Sequence, residues 1–267
     1  MSPEILFSNL WKQYIELNPS VETIHRLFAE RESKVINDHI ALRTLQHPKL
    51  GIDKLAQVFE TMGYERKAQY SFKQKKLNAI HLQHKKEEDL PLVFISELKL
   101  NECSQQLQEI LQTQVIDKLD QQLIESDECC YSGRSWGDVS FNTYEILRQE
   151  SEYAAWFYVY GYMANHFTVK VNTLESFDSL ESVNEFLESQ SFNLNEVGGK
   201  IKGTPELLLE QSSTLADKRP VQFIEDVKEI PSCFYEFARR YQQADGSEFK
   251  GFIEGNADKI FESTNMK

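Results

Sequence analysis

Two histidines, His39 and His166, stand in similar segments of this chain, one in each half of the sequence. The first segment reads N-D-H-I-A-L-R-T, and the second reads A-N-H-F-T-V-K-V. In both segments the histidine is followed by apolar and small residues, a basic residue comes four places later, and a helical pattern follows. An internal repeat of this kind constrains the whole fold, because it indicates two similar modules. If each module offers one histidine from its first strand, both imidazoles could meet at one point, which is half of a metal site.

The order of the predicted elements indicates an α+β protein in which both modules follow the order β-α-β-β-β. We expect two helices in residues 1–31, the first module in residues 32–96, a helical insert and junction in residues 97–160, and the second module in residues 161–267. No low-complexity linker separates these parts, so residues 1–267 are expected to form a single compact unit.

Apolar alternation and helical periodicity predict where the elements of each module begin and end. In the first module, strands are predicted at 35–45, 64–72, 77–84 and 92–96, with a helix at 52–62. A helix is predicted at 143–160, ahead of the second module. In the second module, strands are predicted at 162–172, 192–200, 219–226 and 232–242, with a helix at 178–189.

Composition argues against several classes of partner. The formal net charge of −13 would repel nucleic acid and anionic membranes, so neither is expected as a partner. No stretch approaches ~18 consecutive apolar residues and the N-terminus has no basic segment, so we expect neither a transmembrane helix nor a signal peptide. The 4 cysteines form no C-x-x-C pair, which fits a cytoplasmic protein. The oligomeric state is not indicated by the sequence.

Strand alternation places candidate functional residues on common faces. His39 and Arg43 share one face of the first strand, with Cα atoms about 13 Å apart at ~3.3 Å per residue, and His166 shares a face with Lys170. Glu236 stands within an aromatic strand, where a carboxylate is costly to bury unless it is paired or bound to a metal. Two histidines and one carboxylate with open positions form the facial triad of non-haem iron(II) oxygenases. A substrate with one end on the metal could place a carboxylate on the Arg43 guanidinium.

Other interpretations of these residues remain open at this stage. The histidines could be ordinary strand residues, and Arg43 could form a structural salt bridge. Glu236 could pair with Arg239 or Arg240, and Glu254 is a rival ligand that the neighbouring glycines predict to lie in a loop. Four further histidines are interpreted as surface residues without a function: His25, His47, His81 and His84. Two further polar residues are candidates for lining a substrate pocket, although a plain strand end would explain them equally: Gln211 and Ser213.

Five motifs between about residue 35 and the C-terminus resemble those of a known enzyme family. The motifs read N-D-H-I-A-L-R-T, A-W-F-Y-V-Y-G-Y-M-A-N-H-F-T-V, G-G-K-I-K-G, L-L-E-Q-S-S-T and C-F-Y-E-F-A-R-R-Y. The chain resembles the bacterial family of 2-oxoadipate dioxygenase/decarboxylase, also called 2-hydroxyglutarate synthase. Its last motif, with the G-F-I-E-G-N-A-D-K-I-F-E-S that follows, also resembles the end of 4-hydroxyphenylpyruvate dioxygenase.

The resemblance implies a vicinal-oxygen-chelate-like fold, with two modules forming a curved sheet around Fe²⁺ held by His39, His166 and Glu236. Arg43 matches the substrate-binding and catalytic arginine of the family. The implied reaction converts 2-oxoadipate, or a similar 2-oxo diacid, and O₂ to 2-hydroxyglutarate and CO₂. The same fold supports other chemistry, so a hydrolase, isomerase or lyase that uses another divalent metal is an alternative. A binding module without catalysis is a third hypothesis, because well-studied members of the family are longer.

Overall fold

The computed structural model describes residues 1–264, in which helices and strands alternate as an α+β protein, as predicted. The helices are α1 (Pro3–Leu17), α2 (Pro19–Ala29), α3 (Ile52–Thr61), α4 (Gln105–Gln114), α5 (Gln121–Glu125), α6 (Phe141–Glu150), α7 (Glu152–Tyr160), α8 (Leu180–Ser189) and α9 (Glu254–Ile260). The strands are β1 (Asn37–Leu45), β2 (Tyr64–Phe72), β3 (Leu77–His84), β4 (Leu92–Leu98), β5 (Ala164–Lys170), β6 (Lys202–Thr204), β7 (Leu209–Ser213), β8 (Lys218–Gln222), β9 (Val227–Pro231) and β10 (Phe234–Arg240).

A curled sheet forms the centre of the molecule, with the strand order β2-β3-β4-β1-β5-β10-β7-β6. The first strands of the two modules, β1 and β5, lie side by side and run antiparallel. Each also has a parallel neighbour from its own half of the chain, β4 for β1 and β10 for β5. This arrangement places β1, β5 and β10 next to one another in the middle of the sheet.

The helices at the N-terminus cover one face of these central strands. In α1, Leu6, Leu10 and Tyr14 recur every four residues and are fully buried, as expected for an amphipathic helix. Aromatic rings pack the helices onto the sheet. The ring centroids of Trp11 in α1 and Phe167 in β5 are 5.0 Å apart, and those of Phe28 in α2 and Phe237 in β10 are 5.9 Å apart. Burial of each such ring contributes roughly 1.5–3 kcal/mol. Because side chains alternate along a strand, the predicted ligands on β5 and β10 face the opposite, concave side.

Helix α7 is apolar on every side and fills the space beside β1. Every residue from Tyr153 to Tyr160 is buried, so the helix lies inside the protein rather than on its surface. The Tyr153 hydroxyl accepts a hydrogen bond from the Thr44 amide at 2.9 Å and lies 2.7 Å from the Ser96 carbonyl oxygen, to which it can donate. These bonds fix α7 against β1 and β4, and they place Tyr153 and Trp156 next to Arg43.

The structure corrects the sequence prediction in the second module. Residues 192–200 form a single isolated bridge, between Leu194 and Thr214, instead of a strand, and Gly198 and Gly199 end the extended backbone with φ angles of 72° and 96°. The sheet strands here are β6 and β7, and the predicted strand at 219–226 overlaps only β8, which pairs with β9 as a ribbon outside the main sheet. The helix predicted at 143–160 is two helices, since the Ser151 side chain caps α7 by accepting from the Ala154 amide.

Candidate metal centre

The three predicted ligands converge on the concave face of the sheet. His39 on β1, His166 on β5 and Glu236 on β10 each offer a ligand atom, and these atoms all lie within 4.8 Å of one another. Strand register explains the convergence, because Thr168 of β5 is the Cα partner of both His39 and Glu236. His166 therefore lies one diagonal step from each of them, and diagonal side chains on one face are within reach of each other.

The geometry of this cluster fits one metal ion. His39 Nε2 lies 3.5 Å from Glu236 Oε1, and His166 Nε2 lies 3.1 Å from Glu236 Oε2. Two ligand atoms that each lie ~2.1 Å from an ion, at roughly a right angle, are about 3 Å apart. Two imidazole nitrogens and one carboxylate on a single face are the donor set of the facial triad.

Burial shifts the pKa values of the side chains in the cluster. Glu236 is completely buried, and its Oε2 atom has no hydrogen-bond donor among the described residues. Burial raises the pKa of Glu236, whereas burial and the nearby charges of His39 and Arg43 hold the pKa of His166 well below its usual range. A buried carboxylate is costly without a counter-charge, and a divalent cation would supply that charge. The residues present therefore fit a divalent metal.

Each predicted ligand has a hydrogen-bond partner behind it. The His39 ring faces the Asp38 carboxylate through Nδ1 at 2.7 Å, and the Gln211 amide donates to Glu236 Oε1 at 2.6 Å. The His166 Nδ1 atom lies 3.2 Å from the side-chain oxygen of its neighbour in sequence, Asn165. Partners of this kind fix the orientation of ligating groups and the tautomer of ligating histidines.

The alternative interpretations of Glu236 are wrong for the described residues. Arg240 forms its ion pair with Asp38 at 2.7 Å, and Arg239 donates to the carbonyl oxygen of Asp178, so neither forms an ion pair with Glu236. The rival ligand Glu254 is exposed at the start of α9, where it accepts a hydrogen bond from the amide of Ser71 at 2.8 Å.

Arg43 lies on the same strand as His39 and is also buried. Its guanidinium lies over the rings of Tyr153, Trp156 and Phe261, with 4.9–5.8 Å to the ring centroids. One nitrogen lies 3.5 Å from the hydroxyl of Thr264, while Nε and Nη1 have no partner among residues 1–264. A structural salt bridge is therefore not observed in this part of the chain. Burial lowers the pKa of Arg43 to about 10, and a cavity of about 230 Å³ opens beside it.

The two halves of the repeat differ at the basic residue. Lys170, the counterpart of Arg43, is half-buried and pairs with Glu248 at 2.7 Å. The two predicted pocket-lining residues also have different surroundings. Gln211 contacts Glu236, whereas the Ser213 hydroxyl forms a hydrogen bond with the Ser263 hydroxyl at 2.8 Å. Gln211 thus lies in the cluster through its contact with Glu236, and Ser213 contacts the C-terminal segment.

A C-terminal segment covers the site, and the sequence patterns gave no reason to expect it there. We call residues 249–264 the C-terminal cover. Its Phe252 ring lies 4.8 Å from the His39 ring, and its Asn256 side chain donates to the Gln211 amide oxygen at 3.2 Å. The cover also buries His81, which contradicts its interpretation as a surface residue. His81 is 3% exposed, its Nδ1 lies 2.8 Å from the Tyr70 hydroxyl, and its ring packs against Phe252.

Comparisons with known proteins identify relatives along nearly the whole chain. The family described as 2-oxoadipate dioxygenase/decarboxylase matches residues 7–249. The 2-oxoadipate dioxygenase/decarboxylase of Oryza sativa is 34% identical over 282 residues, which is 97% of this chain and 78% of the relative. No helix among the described residues has the length and apolar character needed to span a membrane.

Solved structures share the same architecture. The hydroxyglutarate synthase of Oryza sativa, in complex with 2-oxoadipate, matches with a TM-score of 0.91 at 34% identity, covering 97% of this chain and 91% of that one. A protein from Shewanella frigidimarina named as a hydrolase matches with a TM-score of 0.90 at 47% identity, over 95% of this chain and 98% of the other. A glyoxalase-superfamily protein from Ralstonia eutropha shares the fold, with a TM-score of 0.79 at 19% identity over 94% and 85% of the chains. The predicted vicinal-oxygen-chelate-like fold is confirmed.

Proposed function

Because this chain belongs to the 2-oxoadipate dioxygenase/decarboxylase family, we propose that it is an Fe²⁺-dependent enzyme acting on 2-oxoadipate or a closely similar 2-oxo diacid. The products are 2-hydroxyglutarate and CO₂, and O₂ is the second substrate. The observation that carries the proposal is the buried cluster of two histidines and one glutamate on three adjacent strands. The 4 free, buried cysteines suit a reducing compartment such as the cytoplasm.

His39, His166 and Glu236 would hold the iron. When bound there, Fe²⁺ would supply a template for the 2-oxo acid and the capacity to activate O₂. Different contacts control the protonation of His166 and the orientation of Glu236. Burial favours the uncharged imidazole of His166, which is the form that binds metals. The Gln211 amide holds Glu236 Oε1 by a hydrogen bond, so the carboxylate has a fixed orientation on the concave face.

Arg43 would bind the carboxylate of the substrate that lies away from the metal. Its Nε and Nη1 atoms face no acceptor among residues 1–264, and a guanidinium fork matches the two oxygens of a carboxylate. The rings of Tyr153 and Trp156 hold the guanidinium in place by apolar packing and by cation–π attraction. Its positive charge also lies near enough to His166 to affect the pKa of that residue. Gln211 and Ser213 remain predicted contributors to substrate binding.

The C-terminal cover would exclude water from the reaction. Phe252 and Phe261 place two apolar rings over His39 and Arg43, respectively. In a site without bulk water, the attraction between the guanidinium and a substrate carboxylate is stronger than at the surface. The same enclosure would keep a reactive oxidant away from other molecules.

The direct test measures oxygen consumption by the Fe²⁺-loaded protein with 2-oxoadipate, together with 2-hydroxyglutarate by mass spectrometry. Wild-type protein and the control Glu188→Gln, which alters an exposed carboxylate paired with Lys200, should consume O₂ and form the product at similar rates. Glu236→Gln and His39→Ala should lose at least about 100-fold, since a facial triad short of one ligand holds the metal poorly. Absence of O₂ uptake with every 2-oxo diacid tested, by wild-type protein with iron bound, would contradict the proposal.

A second candidate function is a metal-dependent hydrolase, and one observation favours it. The Shewanella frigidimarina protein, which is 47% identical, is named a hydrolase, and that name mentions no metal. The two functions differ in their need for oxygen, because a hydrolase on the same cluster would work under nitrogen with Zn²⁺ or Mn²⁺. Activity that persists without O₂ would favour the hydrolase.

A further inference from the structure

We infer that Asp38 and Arg240 are positioning residues of the metal centre, and that they couple the orientation of His39 to closure of the C-terminal cover. The inference rests on the proposed metal site. It concerns neither the ligands nor the substrate-binding arginine, but a buried ion pair next to them. Asp38 precedes His39 in β1, and Arg240 is the last residue of β10.

The ion pair has two-point geometry and lies entirely inside the protein. Arg240 Nε donates to Asp38 Oδ2 at 2.7 Å, and Nη2 donates to Oδ1 at 2.8 Å. Asp38 is 6% exposed and Arg240 is 3% exposed. Buried ion pairs are weak contributors to stability, since desolvation offsets their attraction. A pair of this kind beside a metal centre therefore points to a role in geometry.

Asp38 Oδ1 has a second partner, and that partner is His39. The oxygen lies 2.7 Å from His39 Nδ1, so a carboxylate held by Arg240 also faces the histidine ring. Because Arg240 holds both oxygens of Asp38, this contact orients the His39 ring with Nδ1 toward Asp38 and Nε2 toward Glu236.

The other side of Arg240 holds the C-terminal cover. Its Nη1 atom donates to two backbone carbonyls of the cover, at 3.0 Å to Phe249 and at 2.8 Å to Gly251. The Phe252 ring lies 5.2 Å from the Arg240 guanidinium and 4.8 Å from the His39 ring. Arg240 thus joins the cover to Asp38, and Phe252 touches both ends of the Arg240–Asp38–His39 chain.

Opening of the cover would change the surroundings of His39 in two ways. Arg240 would lose both carbonyl acceptors, which fix the plane of its guanidinium, and His39 would lose the ring packed against it. Binding of a metal by His39 should in turn favour the closed cover, because coupling between two sites is reciprocal. Among residues 1–264, His166 has no comparable link, since its Nδ1 faces the neutral side chain of Asn165.

The experiment uses Co²⁺, whose visible absorption reports ligand geometry, on the full-length protein. We expect Arg240→Lys, which keeps the charge but loses the fork, and Asp38→Asn to weaken Co²⁺ binding by about 10–100-fold. Both variants should also change the visible spectrum at saturating Co²⁺. The control Arg239→Lys alters the neighbouring residue, which bonds to the Asp178 carbonyl, and should stay within about two-fold of wild type.

A second measurement tests the coupling by comparing hydrogen exchange in wild-type protein and in Arg240→Lys. Hydrogen exchange of amides in residues 249–252 should slow by at least about five-fold when Co²⁺ is added to wild-type protein. In Arg240→Lys that protection should largely disappear. The exchange measurement does not use the Asp38 variant, so it still tests the coupling if that variant fails to fold. Thermal melting of the metal-free variants shows which of them fold.

The outcomes separate this inference from the proposed function. If wild-type protein binds no Co²⁺, the metal site itself is wrong. If wild-type protein binds Co²⁺ but Arg240→Lys has unchanged affinity and spectrum, the ligands stand and the positioning role is overturned. If affinity falls but exchange in residues 249–252 does not respond to Co²⁺, the coupling to the cover is overturned.

Discussion

Replacing Arg43 by methionine should make the ligand-free protein more stable while abolishing its response to substrate. The guanidinium is buried with Nε and Nη1 unpaired among residues 1–264. A buried charge without a counter-ion is costly, and within the described part of the chain the guanidinium contacts aromatic faces and a hydroxyl at 3.5 Å. Methionine replaces the unbranched stem of arginine without its charge, and it adapts its shape to an apolar space.

The size of the effect follows from two opposing contributions. Burial lowers the pKa of Arg43 to about 10 from its ordinary 12.5. At ~1.4 kcal/mol for each factor of ten, this corresponds to a cost of about 3 kcal/mol for the charged form. Stacking of the guanidinium on three aromatic rings offsets about 1–2 kcal/mol of this cost. The net gain expected for Arg43→Met is therefore about 1–2 kcal/mol, or a rise in Tm of roughly 2–6 °C for a chain of this size.

The assay is thermal unfolding of metal-loaded protein under nitrogen, with and without 2-oxoadipate. Wild-type protein should gain about 2.7 kcal/mol at a ligand concentration of 100 Kd, and Arg43→Met should gain almost nothing. The matched control is Lys170→Met, the counterpart in the other repeat. It breaks a half-buried pair with Glu248 and should lower stability by no more than about 1 kcal/mol. A clear fall in the Tm of ligand-free Arg43→Met would refute the reasoning, because it would mean that the guanidinium already has a stabilising partner.

Three further predictions concern other parts of the molecule. Gly161 has a φ of 69°, and a Cβ there would collide with the backbone of Gly133, so Gly161→Ala should destabilise the protein by about 2–4 kcal/mol. The control Gly137→Ala, at a φ of 83° in open surroundings, should cost about 1 kcal/mol. Urea unfolding measures both variants. Gln211→Leu removes the donor to Glu236 Oε1 and should weaken Co²⁺ binding by about 10-fold; an unchanged affinity would show that this bond does not orient the carboxylate. All 4 cysteines are free and buried, so a thiol reagent should label fewer than one per native molecule and all of them in denaturant; rapid labelling of the native protein would contradict their burial.

Elements with a strong local pattern were predicted closely, and elements without one were not. The strands 64–72 and 77–84 begin and end where the alternation indicated. The strand predicted at 192–200 was wrong: the segment makes one isolated bridge at Leu194, and two glycines with positive φ then turn the chain. His81 was also misjudged: its strand was predicted correctly, but the Phe252 ring that buries it comes from a segment about 170 residues away.

The candidate ligands were predicted because their signal is local, whereas their supporting residues depend on distant contacts. A histidine repeated in two similar strands, and a glutamate within an aromatic strand, can be recognised in a window of eight residues. The pairing of Asp38 with Arg240 joins residues 202 positions apart. The same sequence pattern is equally compatible with a pair between Arg240 and Glu236, and only the direction of each side chain distinguishes the two.

The sequence by itself determined the α+β fold class, the face of each strand that carries the predicted ligands, and the chemical character of those ligands. Alternation along a strand and the identity of a side chain are local properties, and they do not depend on what packs nearby. Only the tertiary structure decided that β1, β5 and β10 are neighbours with Thr168 opposite both His39 and Glu236, that Arg240 binds Asp38, and that the C-terminal cover lies over the site. Strand register and burial result from contacts between residues far apart in the chain, which compete with one another across the whole molecule.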